Sequence, residues 1–314
     1  MTDPLVSIIT FTYNHEKFIA KAIEGFLIQK TSFPIEVLIN EDASTDGTAA
    51  IVRKYEAEHP EIIKGFYQAE NQYSKGENPT AFYLSIAKGK YIALCDGDDY
   101  WTDPLKLQKQ VDFLKEHQDI SACYHPAYQL FEKTGKFKGI IGRRTGGVYS
   151  FDETLYMQGL PLCSLMFRRN LIPNPIPSWF YNVSAGDQAL FFMLAKQGRI
   201  AFLENVSAVY RYHSQGIWSN TSFLTQLEKS HQTRKIIYSN LLADNPELLA
   251  KMLRWNNSHV AKLSMRHFMR IIRKKEKERL YPYIKFALQY DLIETFFTFG
   301  AGLLQKIKLQ RPRY

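Results

Sequence analysis

Three carboxylates within four positions, Asp96, Asp98 and Asp99, follow directly on the apolar run Tyr91, Ile92, Ala93, Leu94, Cys95. Such a run, bounded by turn residues, predicts a buried strand, so negative charge is concentrated at a strand end. Carboxylates this close repel and raise one another's pKa unless a cation lies among them. Gly97 is expected to turn the backbone so that Asp96 and Asp98 point the same way. Hard oxygen ligands so placed suit Mg2+ or Mn2+ held between protein and phosphate. Helix capping, the competing reading, needs only one aspartate, and Asp103 before Pro104 already makes that start signal.

The elements before the cluster must bring it to a site. Residues 5–12, rich in Val, Ile and Thr, predict a strand ended by Tyr13 and Asn14. Behind it Phe18, Ile19, Ala22, Ile23, Phe26 and Leu27 recur at helical spacing. A second strand over 35–40 ends in Glu41 and Asp42, and a helix carrying Ile51, Val52 and Tyr55 follows. A third strand over 62–67, a polar loop over 68–79 and a short helix complete the approach. Strands alternating with helices imply an α/β fold with a doubly wound, mostly parallel sheet and helices on both faces. Ligands of such sheets lie beyond the carboxyl ends of the strands. Tyr13, Asp42 and Asp98 all fall at such ends, so three loops converge on one crevice. No glycine pattern of the dinucleotide or P-loop kind follows these strands, which removes the main support for a dehydrogenase or an ATPase.

Beyond Pro104 the spacing of Leu107, Val111 and Leu114 predicts a helix, then a strand pair around 120–131. Residues 132–150, rich in Gly, Lys and Arg, read as a surface excursion, and 162–167 as a short strand. A helix carrying Leu190, Phe191, Leu194 and Ala195 begins near Asp187, where its dipole favours a carboxylate; from spacing alone a structural role and a catalytic one both stand. The segment from Tyr210 through Arg211, His213 and Trp218 closes the body of the fold, with Arg211 readable as structural.

Taken in order, these segments resemble the inverting family 2 glycosyltransferases of the GT-A fold. The likeness covers about residues 5–220 and is carried by Asp96, Gly97, Asp98 and Asp99 with Trp101 and Pro104 behind them. It implies that Asp98 and Asp99 bind Mg2+ or Mn2+ and the ribose or diphosphate of a sugar nucleotide, with Asp96 and Trp101 in the donor pocket. It places Asp42, Thr12 and Tyr13 at the nucleotide base, His213 at the metal and diphosphate, and Asp187 as the base that takes the acceptor proton. The prolines of 174–178 would lie near the acceptor. Glu41, Ala43 and Gly186 depart from the common pattern, where Asp, Gly and Glu are frequent. The implied reaction is metal-dependent, inverting transfer from a nucleotide-sugar donor, expected to be a UDP-sugar, to a glycan or lipid-linked glycan in cell-surface polysaccharide biosynthesis. A nucleotidyltransferase could use the same cluster and would release pyrophosphate. A catalytically inactive sugar-nucleotide-binding protein is the non-enzymatic alternative, and the intact Asp98, Asp99 and Asp187 argue against it.

With 314 residues and 45% apolar content the chain can build a full core. Its three cysteines, Cys95, Cys123 and Cys163, lie in apolar segments, and the N-terminus has no basic start followed by an apolar run. Both features lead to a cytoplasmic expectation. The net charge of +9 is uneven: residues 1–224 hold 22 Lys and Arg against 24 Asp and Glu, whereas residues 225–314 hold 18 against 7. A catalytic domain over 1–220, with a nucleotide half (1–104) and an acceptor half (105–220), and a basic helical extension over 221–314 are therefore expected. Within the extension Lys262, Arg266, Arg270, Arg273 and Lys277 fall in an arc of about 80° on a helical wheel. That stripe fits either a solvated face or the anionic inner surface of a membrane met by residues 255–314. Residues 286–304 are apolar but contain Asp291 and Glu294, which argues against a span. Lys306, Lys308, Arg311 and Arg313 close the chain. No zinc, RNP or helix-turn-helix pattern accompanies the charge, so nucleic acid is not an expected partner.

Overall fold

In a computed structural model, residues 3–142, 145–157, 159–216, 221–274 and 280–309 are described. Two compact units divide the chain: Met1–Tyr181 with Leu190–Ser219, and Asn182–Ala189 with Asn220–Tyr314.

The first unit is built from β1 (Val6–Thr12), α1 (Ile19–Leu27), β2 (Ile35–Glu41), α2 (Thr48–Glu58), β3 (Ile63–Tyr67), α3 (Thr80–Ile86) and β4 (Tyr91–Leu94). After the aspartates come β5 (Tyr100–Trp101), α4 (Lys106–Glu116), β6 (Ile120–Tyr124), β7 (Ala127–Phe131), β8 (Lys136–Ile141), β9 (Gly147–Tyr149), α5 (Phe151–Thr154), β10 (Met166–Arg168), α6 (Gly186–Gln197), β11 (Arg199–Phe202) and β12 (Ala208–Tyr212). The larger sheet has the order β3-β2-β1-β4-β10-β6-β11-β9. Pairing of β1 with β2 and β4, β2 with β3, and β6 with β11 is parallel, while β10 and β9 run against their neighbours. The sheet is thus doubly wound and mostly parallel. Its core holds Ile8, Val37 and Ala93 from the strands and Ile23 and Phe26 from α1, the helical face that the spacing of apolar residues marks.

Three expectations change. Strands β6 and β7 are not a pair: β6 belongs to the large sheet and β7 to a second sheet of order β5-β12-β7-β8. Residues 132–150 are not an irregular excursion, because β8 pairs with β7 and β9 with β11. Strand β8 carries Lys136 and Lys138 and is exposed, which masks the alternation that a half-buried strand would show, and β9 is only three residues long. The short strand expected over 162–167 starts later, as Leu162–Ser164 forms a 3-10 turn before β10.

The second unit contains α7 (Phe223–Leu241), α8 (Pro246–Lys274), α9 (Tyr281–Tyr290) and α10 (Leu292–Leu309). Ser222 caps α7, its Oγ accepting the Thr225 amide N–H at 3.2 Å. Ala261, Met265, Phe268, Met269 and Ala287 form its apolar centre. The segment Asn182–Ala189 groups with this unit, and the Ser184 N–H donates to Thr233 Oγ1 of α7 at 3.3 Å. The residues around Asp187 thus group with the helices of this unit. Trp218, Lys277, Arg311 and Arg313 lie outside the described residues, as do the side chains of Arg273, Lys306 and Lys308.

Candidate active site

The carboxyl ends of β1, β2 and β4 share one edge, since Thr12 is in register with Glu41 and Ile9 with Leu94. Loops leaving β1 and β2 are tied to each other there. Asn14 N–H donates to Ser44 Oγ (2.9 Å), Thr45 N–H to Asn14 Oδ1 (2.8 Å) and Glu16 N–H to Asp46 Oδ2 (3.1 Å). Asn14 and Ala43 both adopt positive φ, 54° and 57°, a conformation that Asn tolerates and Ala does not favour.

The aspartates after β4 form a tight turn in which the Asp99 N–H donates to the Asp96 carbonyl at 3.1 Å. Gly97 is required there for a different reason than the one expected. Its φ is not positive; a Cβ would instead lie 2.7 Å from Thr12 Oγ1 and 2.8 Å from Thr12 Cβ. Asp98 is half-buried and points into the edge. Its Oδ2 lies 3.0 Å from His213 Nε2 and 3.7 Å from His15 Nε2. Burial alone would raise the Asp98 carboxyl; the His213 hydrogen bond and the two imidazoles outweigh it and hold the group below the usual carboxylate range. Burial pushes His15 down, which favours the neutral ring. The Thr12 hydroxyl fixes that ring through Nδ1 at 3.2 Å.

Asp99 turns the other way, toward β12. It is buried, its Oδ1 accepts the Arg211 amide N–H at 2.8 Å, and burial reinforced by Asp98 raises its carboxyl far above normal. Asp99 thus fastens the turn to β12. Arg211 adds to that link, its Nη1 donating to the Asp98 carbonyl at 2.7 Å while Nε pairs with Glu132 at 2.8 Å. Thr12 is likewise buried, its hydroxyl meeting His15 and its side chain abutting Gly97. Trp101 is 1% exposed; its indole N–H donates to the Cys163 carbonyl at 2.7 Å and its ring packs on Phe26 and Lys106.

Asp42 is buried, with Oδ1 accepting the Gln72 N–H (2.8 Å) and Oδ2 the Tyr73 N–H (3.1 Å). It holds the polar loop over 68–79 against the end of β2, and each oxygen keeps a further lone pair. Tyr13 is 39% exposed at the end of β1, and Asp96 is half-buried beside it in the same row of strand ends. Asp187 stands in the first turn of α6. Its side chain is open to solvent, so the upward push that surrounding protein gives its carboxyl is screened. The 174–178 loop lies away from the strand ends: Ile172, Pro173, Asn174 and Ile176 line a cavity with Pro4, Leu5, Lys88 and Lys90. Those residues precede β1 and β4, so the loop sits at the amino edge of the sheet, where the antiparallel direction of β10 delivers it.

Among the described residues, no group of three His, Cys, Asp or Glu side chains is arranged to enclose a metal ion. Asp98 and His213 nevertheless converge as one oxygen and one nitrogen donor. This pair fits a cation that takes its other ligands from phosphate and water, the usual mode of Mg2+ at nucleotide sites. His15 was missed because a lone histidine after a strand carries no pattern; its sequence signal is the position three residues beyond Thr12 in the loop that faces the aspartates.

A doubly wound sheet with an acidic turn and imidazoles at its carboxyl edge defines a GT-A type sugar-nucleotide fold. The chain belongs to glycosyl transferase family 2, whose model matches residues 7–171. It is 38% identical to an uncharacterized protein of Mycobacterium tuberculosis over 73% of this chain and 64% of that one. The chain thus spans less than two thirds of the length of these mycobacterial relatives. It is 30% identical to the UDP-Glc:alpha-D-GlcNAc-diphosphoundecaprenol beta-1,3-glucosyltransferase WfaP of Escherichia coli, over 69% of this chain and 80% of that one. Among solved structures, S. aureus TarS 1–349 in complex with UDP-GlcNAc superposes with a TM-score of 0.62 at 18% identity, covering 98% of this chain and 93% of that one. The mannosyltransferase PcManGT of Pyrobaculum calidifontis, in complex with GDP-Man and Mn2+, gives 0.56 at 18% identity over 97% and 86% of the two chains. These likenesses establish the fold.

Proposed function

We propose that this chain is a metal-dependent, inverting glycosyltransferase that moves a sugar from a nucleotide diphosphate donor, a UDP-sugar, to a glycan or lipid-linked glycan during cell-surface polysaccharide synthesis. The carrying observation is the Asp98 carboxylate held between His213 and His15 at the carboxyl edge of the sheet. Asp98 and His213 would hold Mg2+ or Mn2+, which when bound neutralises charge on the departing diphosphate. His15 and Arg211 keep Asp98 in place. Asp42 and Tyr13 face the nucleotide base, and Asp96 lies toward the ribose.

Asp187 is the base in this reading. It removes the acceptor hydroxyl proton as that oxygen attacks the anomeric carbon and the carbon–oxygen bond to the diphosphate breaks, so the configuration inverts. Support for Asp187 comes from the family resemblance together with an exposed carboxylate at a helix start. The UDP-sugar and the lipid-linked acceptor follow the name of the WfaP relative. Residues 255–314 are assigned to an anionic membrane surface at the cytoplasmic face; among the described residues no helix is long and apolar enough to cross a membrane.

Asp187→Asn tests the assignment. Donor binding, followed by calorimetry, should be retained, while transfer to an acceptor falls by ~10² to 10⁴. Transfer at the normal rate would remove Asp187 from the mechanism. Release of pyrophosphate instead of nucleoside diphosphate would replace the reaction altogether.

A further inference from the structure

Over its first turns helix α10 points four apolar side chains away from its own unit. Leu292, Ile293, Phe296 and Phe297 are exposed, Ile293 by 81% and Phe297 by 72%, whereas Phe299 meets the Phe268 ring of α8. At 100° per residue these four span an arc of about 140°. The inward arc is polar: Thr295 is buried, Glu294 pairs with Lys262 of α8 at 3.4 Å, and Thr298 Oγ1 donates to Glu294 Oε1 at 2.9 Å. A helix whose outer face meets water has the opposite arrangement. An exposed apolar patch of this kind marks a docking surface.

Charge identifies what docks. Arg266 and Arg270, both exposed, continue along α8 from Lys262, the residue that touches α10. Lys285 is exposed on α9, one turn beyond the exposed Tyr281. Residues 225–314 hold 18 basic side chains against 7 acidic. A second copy of this chain would cover the phenylalanines but would bring like charges together across a self-complementary interface. An anionic bilayer satisfies both features: apolar side chains enter the headgroup boundary while Arg and Lys meet lipid phosphates.

We propose that the outward face of α10, from Leu292 to Phe297, seats in the headgroup region of an anionic membrane, with Arg266, Arg270 and Lys285 against the lipid phosphates. The proposal rests on the assignment of residues 255–314 to a membrane surface and names the element that makes the contact. It would hold the chain beside a lipid-linked acceptor without crossing the bilayer.

Flotation of the full chain with phosphatidylcholine vesicles, with and without phosphatidylglycerol, tests it. The chain should float with the anionic vesicles and remain behind with the neutral ones. Ile293→Ser/Phe297→Ser removes two side chains that have little packing to lose. It should cut the floating fraction about tenfold with an unchanged melting curve. Arg266→Gln/Arg270→Gln should float less and lose its response to salt. A serine variant that floats like the native chain overturns the α10 contact while leaving the membrane assignment standing on the basic residues. A native chain that floats with neither vesicle overturns both. Sedimentation showing a dimer that the serine variant dissociates, without flotation, would make this face a self-association surface and equally refute the proposal.

Discussion

Asp98 Oδ2 has an imidazole nitrogen on either side, His213 at 3.0 Å and His15 at 3.7 Å, and each makes a separable contribution. His213→Ala removes a nitrogen donor; His15→Ala removes only the group that steadies the carboxylate. Mn2+-dependent nucleotide binding should therefore weaken by about 10² in the first and about tenfold in the second, at roughly 1.4 kcal/mol per decade. Equal losses in titration calorimetry would contradict the distinction. Gly97→Ala must push Thr12 away, costing ~1–3 kcal/mol in urea unfolding. An unchanged midpoint would mean that Thr12 yields freely. The aspartate run and His213 were legible in the sequence, because charge after an apolar strand and a resemblance both pointed there. Which way each side chain turns was not. Asp98 and Asp99 are adjacent and identical, yet one enters the cleft and the other is drawn inward, where it accepts the amide N–H of Arg211, 112 positions along the chain. The surroundings of Trp101 were hidden for the same reason, since the carbonyl its indole meets belongs to Cys163.

At the scale of elements, the loop after β2 is the strained one. Ala43 sits at φ 57°, where a side chain costs ~1–2 kcal/mol and glycine about half as much in lost chain entropy. Ala43→Gly should thus raise the unfolding free energy by about 0.5–1 kcal/mol; a lower thermal midpoint would place some Cβ contact above the strain. Under β5, Lys106 is buried, donates to Gln110 Oε1 at 2.7 Å and lies over the Trp101 ring. Burial pushes its pKa down to about 8. Between there and the ordinary lysine value the unfolded chain binds more protons than the folded one, so this residue's contribution rises with pH across that window, by about 3 kcal/mol in all. Lys106→Met should flatten that rise when its pH–stability curve is compared with the native one. Parallel curves would exclude the lysine. Strands β1 to β4 were readable from apolar runs between turn residues. Strand β8 was not, because its exposed, lysine-bearing stretch lacks the contrast on which periodicity depends, and β9 is only three residues long.

Across the whole molecule, the charge division near residue 224 signalled the helical unit, and the structural division falls close by, at 219 and 220. The grouping of Asn182–Ala189 with that unit was hidden, because it depends on contacts such as Ser184 with Thr233 that leave no mark in local sequence. The outward apolar face of α10 was partly hidden too: apolar content over 286–304 was visible, but which side met the protein was not. The central claim concerns the edge of the sheet, where a half-buried carboxylate and an imidazole would share a divalent ion with a nucleotide diphosphate. Titration of UDP into the full chain, with and without Mn2+, for the native protein and Asp98→Asn, tests it most directly. Mn2+ should tighten native binding at least about tenfold, a coupling of about 1.4 kcal/mol, and leave the variant unaffected. Native affinity indifferent to Mn2+, or a variant that responds as fully as the native chain, would contradict it.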